Sequence, residues 1–139
     1  MLRVILDPNV LVSAAITPLG AGARILLKAI DGAFELITSP LLLAELESVL
    51  LREKFRRYLS EDEARAFVDV IRRQGLYSPD PTGVAPRVTE DPNDDYLVNL
   101  AQVVQADYLV SGDPHLTRLR GLLPVLTPRE FRELLDSRS

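Results

Sequence analysis

Four carboxylates, Asp7, Glu45, Asp94 and Asp113, occupy places in this chain where acidic side chains can act together. Asp7 ends the apolar run of LRVILDPNVLV, and Asp113 ends a second such run in DYLVSGD. Glu45 lies between Leu43 and Leu46 in the first full turns of an expected helix, and Asp94, in EDPNDDYLVNLA, stands at the start of another. In an open parallel α/β sheet, ligands bind in the crevice outside the carboxyl ends of the strands. Two carboxylates 106 residues apart in sequence can therefore share one site. Hard divalent cations such as Mg²⁺ and Mn²⁺ take carboxylate oxygens and keep several waters. One or two such ions activate water and stabilise the oxygens of an in-line displacement at phosphorus. The constellation points to a metal-dependent hydrolase.

Competing chemistries find little support. His115 is the only histidine, there is no cysteine, and no G-x-S-x-G elbow is present. Each acid also has a plain structural reading. Asp94 and Asp95 favour a helix N-terminus through capping and the macrodipole. Asp113, in Gly112-Asp113-Pro114, suits an N-cap before a proline-initiated helix, and Glu45 alone reads as a solvated helix residue. Asp7 is hardest to dismiss, because Asn or Ser would meet the same turn requirement.

The elements that must position these groups alternate between strand and helix. Leu2–Leu6 reads as a buried parallel strand, since its apolar run is continuous. Val10–Ile16 is ambiguous, and Pro18 to Gly22 make a break. A helix over Ala23–Ile30 stops at Gly32, and a short strand follows at Phe34–Ile37. Ser39-Pro40 opens a helix with an apolar stripe of Leu43, Leu46, Leu50 and Leu51. Ser60 and Glu63 form a capping box for Glu61–Arg73, closed by Gly75. Residues 76–92, with four prolines and two threonines, read as irregular, with a short strand expected around Arg87–Val88. Then come a helix at Asp94–Val104, a strand at Asp107–Val110, a short helix at Pro114–Arg120 and a strand at Leu123–Leu126. Thr127 and Glu130 cap a last helix through Leu135. The expectation is a single three-layer α/β/α domain over 1–139 with a mostly parallel central sheet.

Composition agrees. At 139 residues the chain has the length of one domain and can bury a core. No apolar run reaches the roughly 18 residues a membrane span needs, and Arg3 and Asp7 interrupt any signal-peptide core. With no cysteine for disulfides, a cytoplasmic protein is expected, without a membrane partner. The formal net charge of −4 argues against a DNA-coating protein. It is compatible with a nuclease whose acidic centre is balanced by basic groups elsewhere, such as Arg52, Lys54, Arg56 and Arg57, Arg72 and Arg73, or Arg118 and Arg120. With only eight aromatic residues (four Tyr, four Phe), no base-stacking platform is evident.

Four segments, VILDPNVLVSAA, SPLLLAELESVL, DPNDDYLVNLAQVVQADYLVSGD and LPVLTPREFRELL, together resemble the PIN-domain ribonuclease family in order and spacing. The likeness is strongest to the toxin components of bacterial and archaeal toxin–antitoxin systems. It implies an Mg²⁺- or Mn²⁺-dependent endoribonuclease with Asp7, Glu45, Asp94 and Asp113 as catalytic metal ligands. Asp94 is preferred to Asp95 because the family's acid lies three residues before the helix's first large apolar residue, here Leu97. The resemblance assigns supporting roles to Asn9, Ser111, Asp91 and Asp95. Ser111 is expected to hydrogen-bond a carboxylate or water, and Asn9 to orient Asp7 or its loop. It further implies a single-stranded or structured RNA substrate, a cognate antitoxin and a homodimer. One departure is Pro8, where the family usually has Thr. It is the sole support for an alternative reading as a catalytically weak or inactive PIN-like interaction module. A phosphatase of the haloacid-dehalogenase type is disfavoured, since Asn9 stands where its second Asp belongs.

Overall fold

The structure, a computed structural model, describes residues 1–81 and 92–138, the stretch 92–95 by backbone only. The strand expected at Arg87–Val88, and Asp91 with it, lie outside the described residues. Among the described residues five strands form one sheet: β1 (Arg3–Leu6), β2 (Glu35–Thr38), β3 (Leu76–Tyr77), β4 (Tyr108–Val110) and β5 (Val125–Leu126). Their order is β3-β2-β1-β4-β5 and every described pairing is parallel. Helices α1 (Pro8–Ile16), α2 (Ala21–Ile30), α3 (Pro40–Leu50), α4 (Glu61–Gln74), α5 (Pro92–Val103), α6 (Pro114–Thr117) and α7 (Pro128–Arg138) complete a three-layer α/β/α arrangement.

The apolar continuity of β1 matches its place at the centre: Val4, Ile5 and Leu6 are wholly buried. From β1 the chain builds outward through β2 to β3, then returns to place β4 on the other side of β1. That reversal creates a switch point between β1 and β4, where a crevice opens at the carboxyl ends of the strands. Asp7 and the Ser111–Asp113 turn follow these two strands directly.

Local chemistry explains most helix boundaries. The Ser39 hydroxyl accepts from the Leu42 N–H at 3.2 Å to start α3. Both arms of the Ser60–Glu63 capping box form, at 2.8 and 3.0 Å. The Thr127–Glu130 box forms as well, at 2.9 and 3.2 Å. Gly32, at φ 86°, ends the turn after α2 in a conformation that favours glycine. Of the expected apolar stripe on α3, Leu43, Leu46 and Leu50 are buried together with Leu42 and Val49, whereas Leu51, at the C-cap, is half-buried.

Several expectations need correction. The ambiguous Val10–Ile16 stretch is helical and begins earlier, at Pro8. Helix α2 also begins earlier, at Ala21, because Gly22 lets it lie against α1; a Cβ there would stand 2.8 Å from the Val10 carbonyl oxygen. Strand β3 went unrecognised: it has two residues, both exposed at the sheet edge, and so no alternation to read. Helix α6 stops at Thr117 rather than continuing to Arg120. Among the described residues no single helix is long and apolar enough to cross a membrane.

Candidate active site

Asp7 is both a helix cap and a buried carboxylate. Its Oδ1 accepts the Asn9 backbone N–H at 2.9 Å, capping α1, and Pro8 occupies the first helical position. The side chain is nonetheless almost entirely shielded, with 2% of the residue exposed. The Ser111 hydroxyl, wholly buried after β4, donates to Asp7 Oδ2 at 2.7 Å. The same Ser111 oxygen accepts the Asp113 N–H at 3.0 Å, and Asp113 Oδ1 accepts the His115 N–H at 2.9 Å to cap α6. A continuous hydrogen-bond chain thus joins the ends of β1 and β4.

The electrostatics follow from that placement. Burial pushes the Asp7 carboxyl above its ordinary value of 3.8; the bonds from Asn9 and Ser111 oppose the shift, and the nearby charge of Asp113 adds to it. Both Asp7 oxygens keep a lone pair beyond the hydrogen bond each accepts. A divalent cation would offset the repulsion between Asp7 and Asp113, so this oxygen donor pair suits one.

Glu45 is half-buried on α3. It reaches the same neighbourhood through Tyr96, whose phenol is held well above its usual range by burial first and by Glu45 second, with smaller contributions from Asp7 and Asp80. Asp94 and Asp95 fall in the first turn of α5 by backbone position. Their side chains are outside the description, and no group of three or more His, Cys, Asp or Glu that could hold a metal occurs among the described residues.

Two neighbours of the site were not anticipated. Asp80 accepts the Leu41 N–H at 2.8 Å, tying the segment after β3 to the start of the helix that carries Glu45. Its signal was hidden in a proline-rich stretch. Tyr96 resembles any aromatic in an amphipathic helix until α5 is docked. Asn9 contacts Asp7 through its main-chain N–H. Three of the basic groups named above as balancing the acidic centre have partners within the chain: Arg56 donates to the Leu50 carbonyl, Arg72 pairs with Asp69, and Arg120 with Glu130.

Beside Asp113 opens a cleft of about 330 Å³, lined by Asn9, Val10, Ser13, Gly112, Asp113 and Pro128. The family model for the PIN domain matches residues 3–115, spanning both strand-end acids and the cleft except Pro128. The chain belongs to the PIN-domain family. A relative from Methanocaldococcus jannaschii, the uncharacterized protein MJ1680, is 28% identical, with 95% of this chain and 90% of that protein aligned. The fold is also that of a chain in the crystal structure of VapBC2 from Rickettsia felis bound to a DNA fragment from their promoter. There the TM-score is 0.64 at 15% identity, covering 91% of this chain and 98% of that one. In this PIN domain Pro8 sits where helices tolerate proline best, since the N–H of the first helical residue has no intrahelical partner.

Proposed function

We propose that this PIN domain is a divalent-metal-dependent endoribonuclease and the toxin of a toxin–antitoxin pair. The observation that carries the reading is the Asp7–Ser111–Asp113 chain at the switch between β1 and β4. It puts two carboxylates from distant parts of the sequence at the crevice where this sheet topology binds ligands. Asp7, Glu45, Asp94 and Asp113 hold the ion, Mg²⁺ or Mn²⁺. Asn9, Ser111, Asp91 and Asp95 support them. A bound ion supplies Lewis acidity and lowers the pKa of water, which removes the need for a histidine base. Ser111 fixes the Asp7 carboxylate through its Oδ2, and burial of Asp7 limits competing water.

The test is cleavage of single-stranded RNA by the purified protein with Mn²⁺, with Mg²⁺ and with EDTA. Cleavage is expected in either metal and is expected to disappear on chelation; cutting that persists in EDTA would refute the metal role. Ser111→Ala removes the donor to Asp7 and the acceptor for Asp113 together. It is expected to weaken Mn²⁺ binding by about 10–100-fold, the usual cost of losing a group that orients a ligand, measured by titration calorimetry. Binding within twofold of wild type would refute that role.

The interaction-module alternative rests on Pro8. Because the first helical N–H is dispensable, Pro8→Thr is expected to change the cleavage rate by no more than a few-fold. The same reading takes residues 1–139 as one domain acting in the cytoplasm as a homodimer, on single-stranded or structured RNA and under control of an antitoxin. The likeness to VapBC2 supports the antitoxin.

A further inference from the structure

One wall of the cleft beside Asp113 comes from α1, where Asn9 and Ser13 lie four residues apart and so share a helix face. The other wall comes from Gly112 and Asp113 after β4 and from Pro128 at the start of α7. Among the described residues no lysine or arginine lines it. A divalent ion held at Asp113 would be taken up by the scissile phosphate, and the rest of the described lining offers no positive charge to a second one, so the remainder of the cleft suits an uncharged part of a substrate. Asn9 brings a carboxamide with donors and an acceptor, and Ser13 a hydroxyl that does both. The space over Gly112 is also open: a Cβ at that position would meet no atom within 4 Å. A cleft of about 330 Å³ is at the lower end of small-ligand sites, the size class of one nucleoside.

We propose that this cleft is a nucleoside subsite. It takes the neutral sugar and base of the RNA nucleotide flanking the scissile phosphate, and Asn9 and Ser13 hydrogen-bond that nucleoside. The subsite rests on the endoribonuclease reading and adds to it a determinant of where the strand is cut. Base edges and the ribose 2′-hydroxyl each present the mixed donors and acceptors that a carboxamide and a hydroxyl can match.

The experiment maps cleavage sites on a randomised single-stranded RNA pool in Mn²⁺ for wild type, Asn9→Ala, Ser13→Ala and Gly112→Leu, with thermal melts confirming the fold of each. Wild type is expected to discriminate among nucleotides at one position beside the cut. Asn9→Ala and Ser13→Ala are expected to reduce that discrimination by up to about tenfold each, the worth of one hydrogen bond, and to raise KM more than they lower kcat. Gly112→Leu, whose side chain enters the open space, is expected to lower kcat/KM on every sequence. A purely structural role for Asn9 or Ser13 would move melting temperature and leave the cleavage profile alone. Metal-dependent cutting with the same profile and KM in both alanine variants overturns the subsite and leaves the nuclease reading standing. A folded wild type that cuts no member of the pool overturns both.

Discussion

Asp7→Asn is expected to lower RNA cleavage by roughly 10²–10³-fold, the scale of removing one electrostatic element from a site, while making the metal-free protein more stable at neutral pH. The first effect follows because Asn keeps an acceptor for the Asn9 N–H but removes the negative charge from the end of β1. The second follows from burial. The folded state raises the Asp7 carboxyl above its ordinary value of 3.8, so it holds a proton more tightly than the unfolded chain does. Its favourable contribution is complete below that ordinary value and is lost as pH rises through the raised folded value. Above that raised value the wild type therefore carries a desolvated charge that the Asn variant lacks. Melting curves in EDTA across pH are expected to show the variant above wild type at pH 7, with the gap closing in acid. A variant that melts lower at pH 7 would show that Asp7 is retained for the fold rather than the chemistry.

Phe131→Ala is expected to do the reverse, destabilising the protein by about 3–5 kcal/mol and lowering Tm by roughly 10–15 °C, with little change in cleavage by the folded fraction. Phe131 on α7 is wholly buried. Its ring meets Phe34 edge-on at 5.1 Å between centroids and Tyr108 at 6.0 Å. Phe34 immediately precedes β2 and Tyr108 begins β4, so this aromatic cluster clamps the sheet at the ends of its strands opposite Asp7 and Asp113. Deleting the ring removes buried apolar area and leaves a cavity that aromatic neighbours cannot collapse to fill. Denaturant unfolding measures the stability loss, and cleavage assayed well below the transition measures the rest. A rate loss much beyond the unfolded fraction would mean that α7 shapes the cleft through Pro128.

These two variants separate what a PIN domain needs to fold from what this site needs to react. The strand-end carboxylates are placed at the cost of burying charge, whereas the aromatic clamp and the leucines of α3 carry no reactive group. At Asp7 activity and stability are therefore expected to move in opposite directions, the usual trade-off at a site that buries charge, whereas at Phe131 stability alone is expected to change.

Much of this was readable one element at a time. The caps at Ser39, Ser60, Asp113 and Thr127 are bonds between residues two or three apart, so a local motif suffices to find them. The continuous apolar run of β1 marks a central parallel strand for the same reason. The proline-rich stretch after β3 hid Asp80, because a carboxylate that caps a helix 39 residues away has no local signature. Val10–Ile16 read ambiguously because its apolar residues are too dense to show a period.

By itself, the sequence determined most element types, the helix caps at Ser39, Ser60, Asp113 and Thr127, the parallel α/β class and Asp7 and Asp113 as strand-end acids, all through interactions of short range along the chain. Only the tertiary structure decided that β4 lies beside β1, that Ser111 reaches Asp7 across 104 residues, and that Asn9 and Ser13 face Gly112 across a cleft. Those depend on strand order, which is set by how helices cover the whole sheet and not by any segment alone.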